Sequence, residues 1–446
     1  MRLEADYGVP CVAVHAHVFA RLVAASTRAN GMPGTRHAFV PQPVADQPPA
    51  RLLQYIEGDD PVNGRPFAQQ MFESLTRPLT PSDVEGASFE RPTSRLIEFA
   101  SEDDAHGQFL EQGWTDTLPI VLPTEERVEA MLAGTSRGRD DVVGILRPTE
   151  HREYWQFTVE QVAVNAVMAG ARPAYLPVVL AMLASRVTAR HSSTSSLNAM
   201  AVINGPIRLE LKMNAGLGAL GPYNHANSTI GRSFGLASQN LQGGSVPGVS
   251  YMGSLGNSFA YTNLTFPENE EQCPWDPCHV RQGYDREAST VTLFRNCQTF
   301  ISTSGIRETW QERIASMLGA LDPVCGGVFL LGPLVAQELV EKGLNSPAKL
   351  AAWAHEHARK PAREWWDGFD AQIFWRPAAE LGIEPFASYL KADPDDLLPM
   401  FEPEDIEVLV VGGDTLPHWA VLNAISHGIP RGGIELGATV SVDEWR

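Results

Sequence analysis

The sequence predicts an α/β protein with two or three lobes. The chain has 446 residues, which is too long for one compact core. Short apolar runs that stop at glycine or proline alternate with segments of helical periodicity, and this alternation is typical of strands joined by helices. Hydrophobic residues make up 43% of the chain and charged residues 20%, a balance typical of globular proteins, so we expect the chain to fold.

Residues 1–45 are predicted to form the first lobe, a partial βαβ unit of Rossmann-like or flavodoxin-like type. Apolar runs predict strands at Val9–His15 and Ala38–Val40, and the segment Phe19–Ala25 between them predicts a helix. Parallel strands need neighbours that bury both faces of the sheet, and the few residues before Val9 cannot supply them. We therefore expect a partner chain or the C-terminal segment to complete this lobe.

Residues 46–114 are rich in proline and acidic groups and are predicted to be a connector that wraps a surface, with one helix near Pro66–Leu75. Residues 115–332 are predicted to form the main, larger α/β domain. Thr124 and Thr158 each precede a segment of helical periodicity, and we expect each to cap the first turn of a helix.

Residues 333–446 are predicted to contain helices and then a closing βα unit. That unit consists of a strand at Ile406–Val411 and a helix at Leu416–Ala424, with Gly412-Gly413-Asp414 between them. A glycine pair before a helix suits a phosphate or carboxylate at the helix N-terminus, although a lone pair of glycines is a weak signal. His418 would lie in the first turn of this helix and reach the same crevice.

The composition argues against several classes of function. Lys and Arg number 34 and Asp and Glu 53, which gives a formal net charge of −19 without any basic run, so nucleic acid and anionic membranes are not expected as partners. No apolar segment reaches the roughly 18 residues of a membrane span, and no secretory signal opens the chain. The five cysteines are an odd number in a long chain, which indicates a reducing compartment, and we expect a cytoplasmic protein.

The stretch from Val202 to Tyr284 holds most of the candidate site residues. A buried strand is predicted to end at Asn204-Gly205-Pro206, and the glycine-rich segment Asn214–Gly231 follows, where the backbone could cradle an anion and Asn227 or Ser228 could cap a helix. Four asparagines could hydrogen-bond a carboxylate or amide substrate, or could serve in turns and caps, which asparagine favours in any protein. These four are Asn204, Asn214, Asn224 and Asn227.

The segment Pro267–His279 combines three glutamates, an aspartate, two cysteines, a tryptophan and a histidine. The glutamates Glu268, Glu270 and Glu271 could supply a general base whose pKa is raised by the neighbouring carboxylates. The alternative is a solvated run of charges on a surface loop, which is the usual role of such a run.

Two places carry side chains of the metal-ligand type. Cys273, Cys278 and His279 form one of them, but the Pro-Trp-Asp-Pro between the cysteines is stiff, and a structural zinc site needs a second pair of ligands. His15 is the other, although a histidine at a strand end is more often a hydrogen-bonded structural group. Cys325, which two glycines follow, could be a nucleophile at a turn or a buried, inert thiol.

Three motifs in the central stretch resemble signatures of the UGSC-type (seleno)protein family. They are Asn204–Arg208, Leu220–Arg232 and Glu268–Val280, and the similarity extends over most of residues 115–332, with Val410–His418 as a further match. The resemblance covers His279 but places other residues at the two cysteines of the third motif. It therefore implies a functional role for His279 and for at least one neighbouring glutamate.

The N-terminal segment from Gly8 through Pro43 resembles the part that follows a Sec/Cys-Gly-Ser-Cys motif in longer relatives, with His15 on the shared pattern. More distantly it resembles part of a selenoprotein subunit of glycine reductase. No Cys-Gly-Ser-Cys occurs in this chain, so the motif either lies on a separate small subunit or precedes the start of this sequence, cut off at a selenocysteine codon read as a stop. We favour a partner subunit, because a lone half-sheet would expose strand edges and apolar faces.

Together these observations predict an enzyme subunit, an oxidoreductase or lyase, that acts on a small polar metabolite by thiol- or selenol-assisted redox or cleavage chemistry. The resemblance implies that a small Cys- or Sec-containing subunit of a hetero-oligomer supplies the reactive group. His279 and a glutamate among Glu268, Glu270 and Glu271 would move protons. The predicted substrate contacts are Asn204, Asn214, Asn224, Asn227, Arg232, Trp275, Gly412, Gly413 and His418.

Two alternatives stay open. The first is a metal-dependent lyase or hydrolase that needs no partner thiol, with a divalent metal on His15, His279 or His418, or at Cys278. The second is a substrate-binding or scaffold subunit without chemistry of its own. The density of acid and base side chains in Pro267–His279 favours an enzyme over a scaffold.

Overall fold

In the computed structural model of the chain, the described residues are 2–29, 32, 34–44, 47–80, 94–145, 156–190, 196–242, 248, 251–323, 326–369, 371–424 and 437–446. Helices and strands alternate through most of these residues, so the predicted α/β class is confirmed. No helix among them is both long and apolar enough to cross a lipid bilayer.

The secondary-structure elements are numbered here in chain order. The α-helices of the described residues are α1 (Arg2–Tyr7), α2 (Ala20–Ala29), α3 (Pro49–Glu57), α4 (Phe67–Thr76), α5 (Glu102–Glu111), α6 (Glu125–Leu132), α7 (Val159–Met168), α8 (Leu176–Ala184), α9 (Ile207–Glu210), α10 (His225–Leu241), α11 (Cys278–Arg281), α12 (Trp310–Gly319), α13 (Pro333–Glu341), α14 (Pro347–His357), α15 (Ala362–Asp367), α16 (Arg376–Glu380) and α17 (Phe386–Tyr389). The strands are β1 (Ala13–Ala16), β2 (His37–Val40), β3 (Val142–Ile145), β4 (Gln156–Thr158), β5 (Asn198–Asn204), β6 (Thr265–Pro267), β7 (Thr290–Cys297), β8 (Phe300–Ser304), β9 (Gly327–Leu331), β10 (Arg359–Pro361), β11 (Leu397–Pro399), β12 (Ile406–Val410), β13 (His418–Asn423) and β14 (Gly437–Ser441).

Two four-stranded mixed sheets form the centre of the molecule. The first has the order β14-β7-β5-β6, with β5 and β6 parallel and the other neighbours antiparallel. The second has the order β12-β9-β13-β8, again with one parallel pair, β9 and β12, and two antiparallel pairs. The two sheets therefore share one pattern of strand directions.

The two sheets lie face to face between two layers of helices. Along β5, Val202 packs into an apolar cluster that both sheets share, whereas Ile203 packs with α7, α8 and α10. Along β9, Leu330 joins the shared cluster and Leu331 packs with α12, α13 and α14. Because successive side chains of a strand point to opposite faces, both central strands are buried on both sides and are apolar along most of their length.

We call each sheet, with the helices that cover its outer face, one half of the fold. Each sheet contains one strand that follows strands of the other sheet in the chain, an arrangement that we call the strand exchange. In the chain, β8 follows β7 of the first sheet but pairs with β13 of the second, and β14 follows β13 but pairs with β7. The registers of the central strands correspond, since Ile203 of β5 pairs with Val291 of β7 as Leu331 of β9 pairs with Trp419 of β13.

The N-terminal residues form a separate parallel pair, β1 and β2, with α2 between them, which confirms the predicted βαβ unit. Helices α3 and α4 cover β2 through Tyr55 and Phe67, which cluster with Ala38 and Val40. Within the described residues, this sheet contains β1 and β2 alone. Its Rossmann-like or flavodoxin-like type stays a prediction.

The structure confirms several predicted elements and corrects one. Thr124 and Thr158 cap α6 and α7 through their side chains, as predicted, and the helix expected near Pro66–Leu75 is α4. The helix predicted at Leu416–Ala424 is wrong, because its residues form β13. An apolar run such as Trp419–Leu422 fits a strand buried on both faces as well as a helix, and periodicity does not separate the two.

Candidate functional site

The candidate site lies where the carboxyl ends of β5 and β6 meet the carboxyl end of β12. Directly after β6, the backbone N–H of Asn269 donates to the carbonyl of Val410 at 2.8 Å, and Asn269 Nδ2 donates to the carbonyl of Gly412 at 2.9 Å. The N–H of Gly412 in turn donates to the carbonyl of Ala215 at 2.8 Å. The site is therefore built from the ends of both sheets.

Asn204, the last residue of β5, brings two of the predicted carboxylates together. Its Nδ2 donates to Glu268 Oε2 at 2.7 Å and to Glu270 Oε1 at 3.0 Å. The backbone N–H of Cys278, at the start of α11, donates to the same Glu268 oxygen at 2.8 Å. The structure thus joins residues that lie far apart in the chain, and it does so at the predicted end of a buried strand.

Glu268 is fully buried, so the expectation of a solvated surface run does not hold for this residue. Burial raises the pKa of its carboxyl group, and the positive charge of Arg281 opposes the shift. Its Oε2 accepts two hydrogen bonds, whereas its Oε1 has no hydrogen-bond partner among the described residues. The protonated form, with its hydrogen on Oε1, suits this environment because it removes a charge from the interior.

Arg208 holds the other two glutamates. Its Nε lies 2.9 Å from Glu270 Oε1, and its Nη2 lies 2.9 Å from Glu271 Oε1. The hydrogen bond from Arg208 lowers the pKa of Glu271. Arg208 was not among the predicted site residues, although it is the last residue of the Asn204–Arg208 motif. Arginine is seldom buried, so its burial here marks it as part of the site. That burial cannot be read from the sequence.

His279 is fully buried at the start of α11. Its Nε2 lies 3.2 Å from the carbonyl of Arg286, and its Nδ1 has no hydrogen-bond partner among the described residues. Burial lowers the pKa of His279, against the opposing effect of the carbonyl contact and of the Glu270 charge. The neutral ring with its hydrogen on Nε2 donates to the carbonyl and leaves the Nδ1 lone pair available to accept a proton.

The segment between the glutamates and His279 also carries Trp275 and two thiols, and Trp275 packs against the apolar cluster on the helix side of the second sheet. Trp275 Nε1 is buried and has no acceptor among the described residues. Burial raises the pKa of Cys273 to about 12 and raises that of Cys278 far above its usual range. In the described part of the chain, no three His, Cys, Asp or Glu side chains come together as a set of metal ligands. The metal-binding roles of His15 and Cys278 stay predictions.

The Asn/Gly loop, residues 214–224, is held by its own asparagines. Asn214 Nδ2 donates to Asn224 Oδ1 at 2.7 Å, and Asn224 Nδ2 donates to the carbonyls of Gly218 and Gly221 at 2.7 and 2.9 Å. Asn227 Nδ2 donates to the carbonyl of Asn214 at 2.9 Å. These amides fix the loop, and their predicted contacts with a substrate stay a prediction.

The helix that follows this loop begins earlier than expected. The residue before its first turn is Asn224, and neither Asn227 nor Ser228 caps it, so that prediction is wrong. Asn227 lies buried in the first turn, where its side chain bonds back to the loop. Asn224 makes no side-chain cap either, because the loop carbonyls engage its amide group.

The predicted substrate contacts Gly412, Gly413 and His418 lie at the same edge of the sheets as the glutamates, but their conformation differs from the predicted one. Gly412 has a φ of 100°, and a Cβ added at Gly413 would meet Leu217 Cδ2 at 2.3 Å, so this glycine allows the Asn/Gly loop to pack against it. A strand, β13, follows instead of a helix, and the predicted helix N-terminus for an anion is therefore wrong. His418 opens that strand, with its Nδ1 3.4 Å from Ser304 Oγ.

Two other predicted residues lie apart from the glutamates. Arg232 makes a two-pronged ion pair with Asp116, both contacts at 2.9 Å, and lies on the helix layer. His15 belongs to the N-terminal sheet, where its Nε2 lies 3.2 Å from Nδ1 of His37. Burial lowers the pKa of His37 to about 4, with a further effect from His15. Cys325 lies outside the described residues.

Comparison of the chain with protein-family models, with curated proteins and with solved structures finds no match.

Proposed function

We propose that this chain is a subunit of an enzyme that acts on a small polar metabolite by thiol- or selenol-assisted redox or cleavage chemistry, with the reactive Cys or Sec on a partner subunit. The observation that carries the proposal is a group of buried polar atoms without hydrogen-bond partners among the described residues. They are Asn204 Oδ1, Glu268 Oε1, Trp275 Nε1 and His279 Nδ1. Asn204 and Glu268 are hydrogen-bonded to each other, and the charge of Glu270, which Asn204 also contacts, acts on His279. Buried polar groups are nearly always paired, and a ligand bound among these residues would supply the missing partners.

Glu268 and His279 suit proton transfers in opposite directions. Burial favours the protonated form of Glu268, which makes its carboxyl group a proton donor. Burial also favours the neutral form of His279, which makes Nδ1 a proton acceptor. Titratable groups whose pKa values are shifted in this way by their surroundings are the usual acid and base of a site. In this proposal Asn204 and Trp275 orient the substrate.

Three thiols of the chain, those of Cys273, Cys278 and Cys297, are poor nucleophiles, which supports a reactive group on another chain. Thiolate, not thiol, is the nucleophile in cysteine chemistry. Burial raises the pKa of Cys273 and of Cys297 to about 12, and it raises that of Cys278 well above its usual value. These three thiols therefore stay protonated at neutral pH, and a partner-borne Cys or Sec would supply the nucleophile that they cannot.

The N-terminal sheet is the proposed contact surface for that partner. Val14 of β1 is 46% exposed, and Tyr7 and Val9 before it are more than half exposed. Exposed apolar side chains next to an unpaired strand edge are typical of a surface that another chain covers. A partner strand beside β1 would extend the sheet and would make the Rossmann-like or flavodoxin-like lobe complete.

Native mass spectrometry of the chain, co-expressed with its neighbouring open reading frames, tests the proposal, with metal and selenium determined on the same sample. We expect a small Cys- or Sec-containing chain bound at fixed stoichiometry. A stable homomer that carries stoichiometric divalent metal would instead support the metal-dependent lyase or hydrolase.

A matched pair of variants locates the contact. Val14→Glu should release the small subunit, because it puts a charge on the proposed contact face. Val62→Glu is the control, since Val62 is 48% exposed but lies in the turn after α3. Retention of the small subunit by Val14→Glu would contradict the proposed surface without bearing on the chemistry of the site.

A further inference from the structure

A cleft of about 300 Å³ lies at the opposite ends of the strands from the candidate site. Asn423, the last residue of β13, lines it, and Gln298 lines it from the turn between β7 and β8. His418, at the other end of β13, lies at the edge of the sheet where the candidate site is. The five residue steps from His418 to Asn423 span about 17 Å in a strand. The cleft is therefore separate from the glutamates and His279.

The base of the cleft is fixed by hydrogen bonds. Asn423 is buried, and its Nδ2 donates to the carbonyl of Asp322 at 3.0 Å. Trp365 is also buried, with its Nε1 donating to the carbonyl of Pro399 at 3.1 Å, so its indole ring cannot turn freely. Both residues line the cleft, and such locked side chains make a preformed surface for a ligand.

Three charged side chains line the cleft and have unpaired charged atoms in the described part of the chain. Lys360 and Glu364 line it, and among the described residues neither side chain has an ion pair or a hydrogen bond. Asp322 also lines it, with a buried Oδ1 that has no hydrogen-bond partner in the described part of the chain. One cation and two carboxylates thus surround an open volume without neutralising one another.

We propose that this cleft binds a small zwitterion of the size of an α-amino acid. The carboxylate of the ligand would pair with Lys360, and its ammonium group would lie between Asp322 and Glu364, with Trp365 beside its carbon skeleton. A volume near 300 Å³ lies at the small end of ligand pockets, which run from about 300 to 1,000 Å³. The proposal does not depend on the chemistry proposed for the first site.

Isothermal titration calorimetry of the full chain with each of the twenty common L-α-amino acids tests the proposal. We expect at least one to bind in a one-to-one ratio. For that amino acid, the matching 2-oxo acid lacks the ammonium group and the matching amine lacks the carboxylate, and each should bind at least about tenfold more weakly, since each loses one charge pair.

Two variants assign the binding to the cleft. Lys360→Met and Glu364→Gln should each weaken binding about tenfold or more without loss of fold, because neither side chain is engaged elsewhere. Lys391→Met, at an exposed lysine outside the cleft, is the control and should leave binding unchanged. Absence of binding by all twenty amino acids, binding that survives Lys360→Met, or equal binding of the 2-oxo acid would each overturn the proposal.

Discussion

The two sheets have the same strand order and directions, yet the residue that follows the parallel edge strand differs between them. The N–H of Glu268 donates to the carbonyl of Ile203 at 3.1 Å, and the N–H of Val411 donates to the carbonyl of Leu331 at 2.9 Å. The same backbone position after the parallel edge strand therefore holds a carboxyl group in one half and an isopropyl group in the other.

The difference shows what the fold provides and what the side chains provide. The parallel ladder fixes where the chain leaves each sheet, so each half offers an equivalent position. In the first half, Asn204 and the N–H of Cys278 hydrogen-bond the carboxyl group there. In the second half, Val411 packs into the apolar cluster between the sheets, where a carboxyl group would have no such partners.

The largest expected effect comes from the glycine that follows each central strand. Gly205 has a φ of 82°, and an added Cβ would meet the carbonyl oxygen of Ala288 at 2.1 Å. Gly332 has a φ of −64°, and its nearest neighbour would be the carbonyl oxygen of His418 at 3.0 Å. Gly205→Ala should lower the free energy of unfolding by about 2–5 kcal/mol, as measured by urea denaturation. Gly332→Ala should cost less than about 1 kcal/mol, and equal losses would contradict the contrast between the halves.

The next effect tests whether the carboxyl group after β6 of the first sheet transfers a proton. Glu268→Gln keeps the shape and the hydrogen bond from Asn204 but cannot transfer a proton, so turnover by the assembled complex should fall about 100- to 10,000-fold. Glu271→Gln is the control, because that side chain is half exposed and is held by Arg208 in an ion pair. A steady-state assay in which both variants lose the same activity would argue against a proton-transfer role specific to Glu268.

A smaller effect tests whether Asn227 stabilises the Asn/Gly loop or contacts the substrate. Asn227→Ala removes the bonds from Nδ2 to the carbonyls of Asn214 and Ala219, which should lower the free energy of unfolding by about 1–3 kcal/mol. Thermal unfolding of the variant checks the loss. The KM of the folded fraction should stay close to that of the parent, and a large rise in KM would instead support the predicted substrate contact.

The smallest effect is a pH dependence of stability. Because the folded state raises the pKa of Glu268, it binds more protons there than the unfolded state does, and stability falls as pH rises above the unfolded value of about 4.3. The folded state lowers the pKa of His279, so stability falls as pH drops below about 6.5. Urea denaturation from pH 4 to 8 should show that Glu268→Gln gains stability over the parent as pH rises. A constant difference would mean that folding does not raise the pKa of Glu268.

Much of the local structure follows from the sequence, because it depends on near neighbours. Thr124 and Thr158 cap their helices, and the βαβ unit forms where apolar runs predicted it. The error at Leu416–Ala424 has the opposite cause. A strand buried on both faces loses the alternation that marks a strand, and only its neighbours β9 and β8 decide its conformation.

The sequence indicates candidate residues for the site but not the contacts between them. The sequence indicated Asn204 as a substrate contact and Glu268 and His279 as proton-transfer groups. The structure brings Asn204 to Glu268 and Glu270, and the charge of Glu270 acts on His279. The burial of Glu268 contradicts the solvated alternative, because it depends on how two distant strand ends meet. Arg208 escaped prediction for the same reason, since its three glutamate contacts exist only in the folded chain.

The strand exchange also affects how the protein matures during synthesis. When β5, β6 and β7 have left the ribosome, the edge of β7 remains open until Gly437–Ser441 is made, because β14 is its partner. In the second sheet, β8 waits in the same way for β13, its partner. An open edge next to apolar faces invites wrong pairing between nascent chains. Both sheets, including the one that carries the carboxylates, are thus completed only when β13 and β14, the last strands of the described chain, have been made.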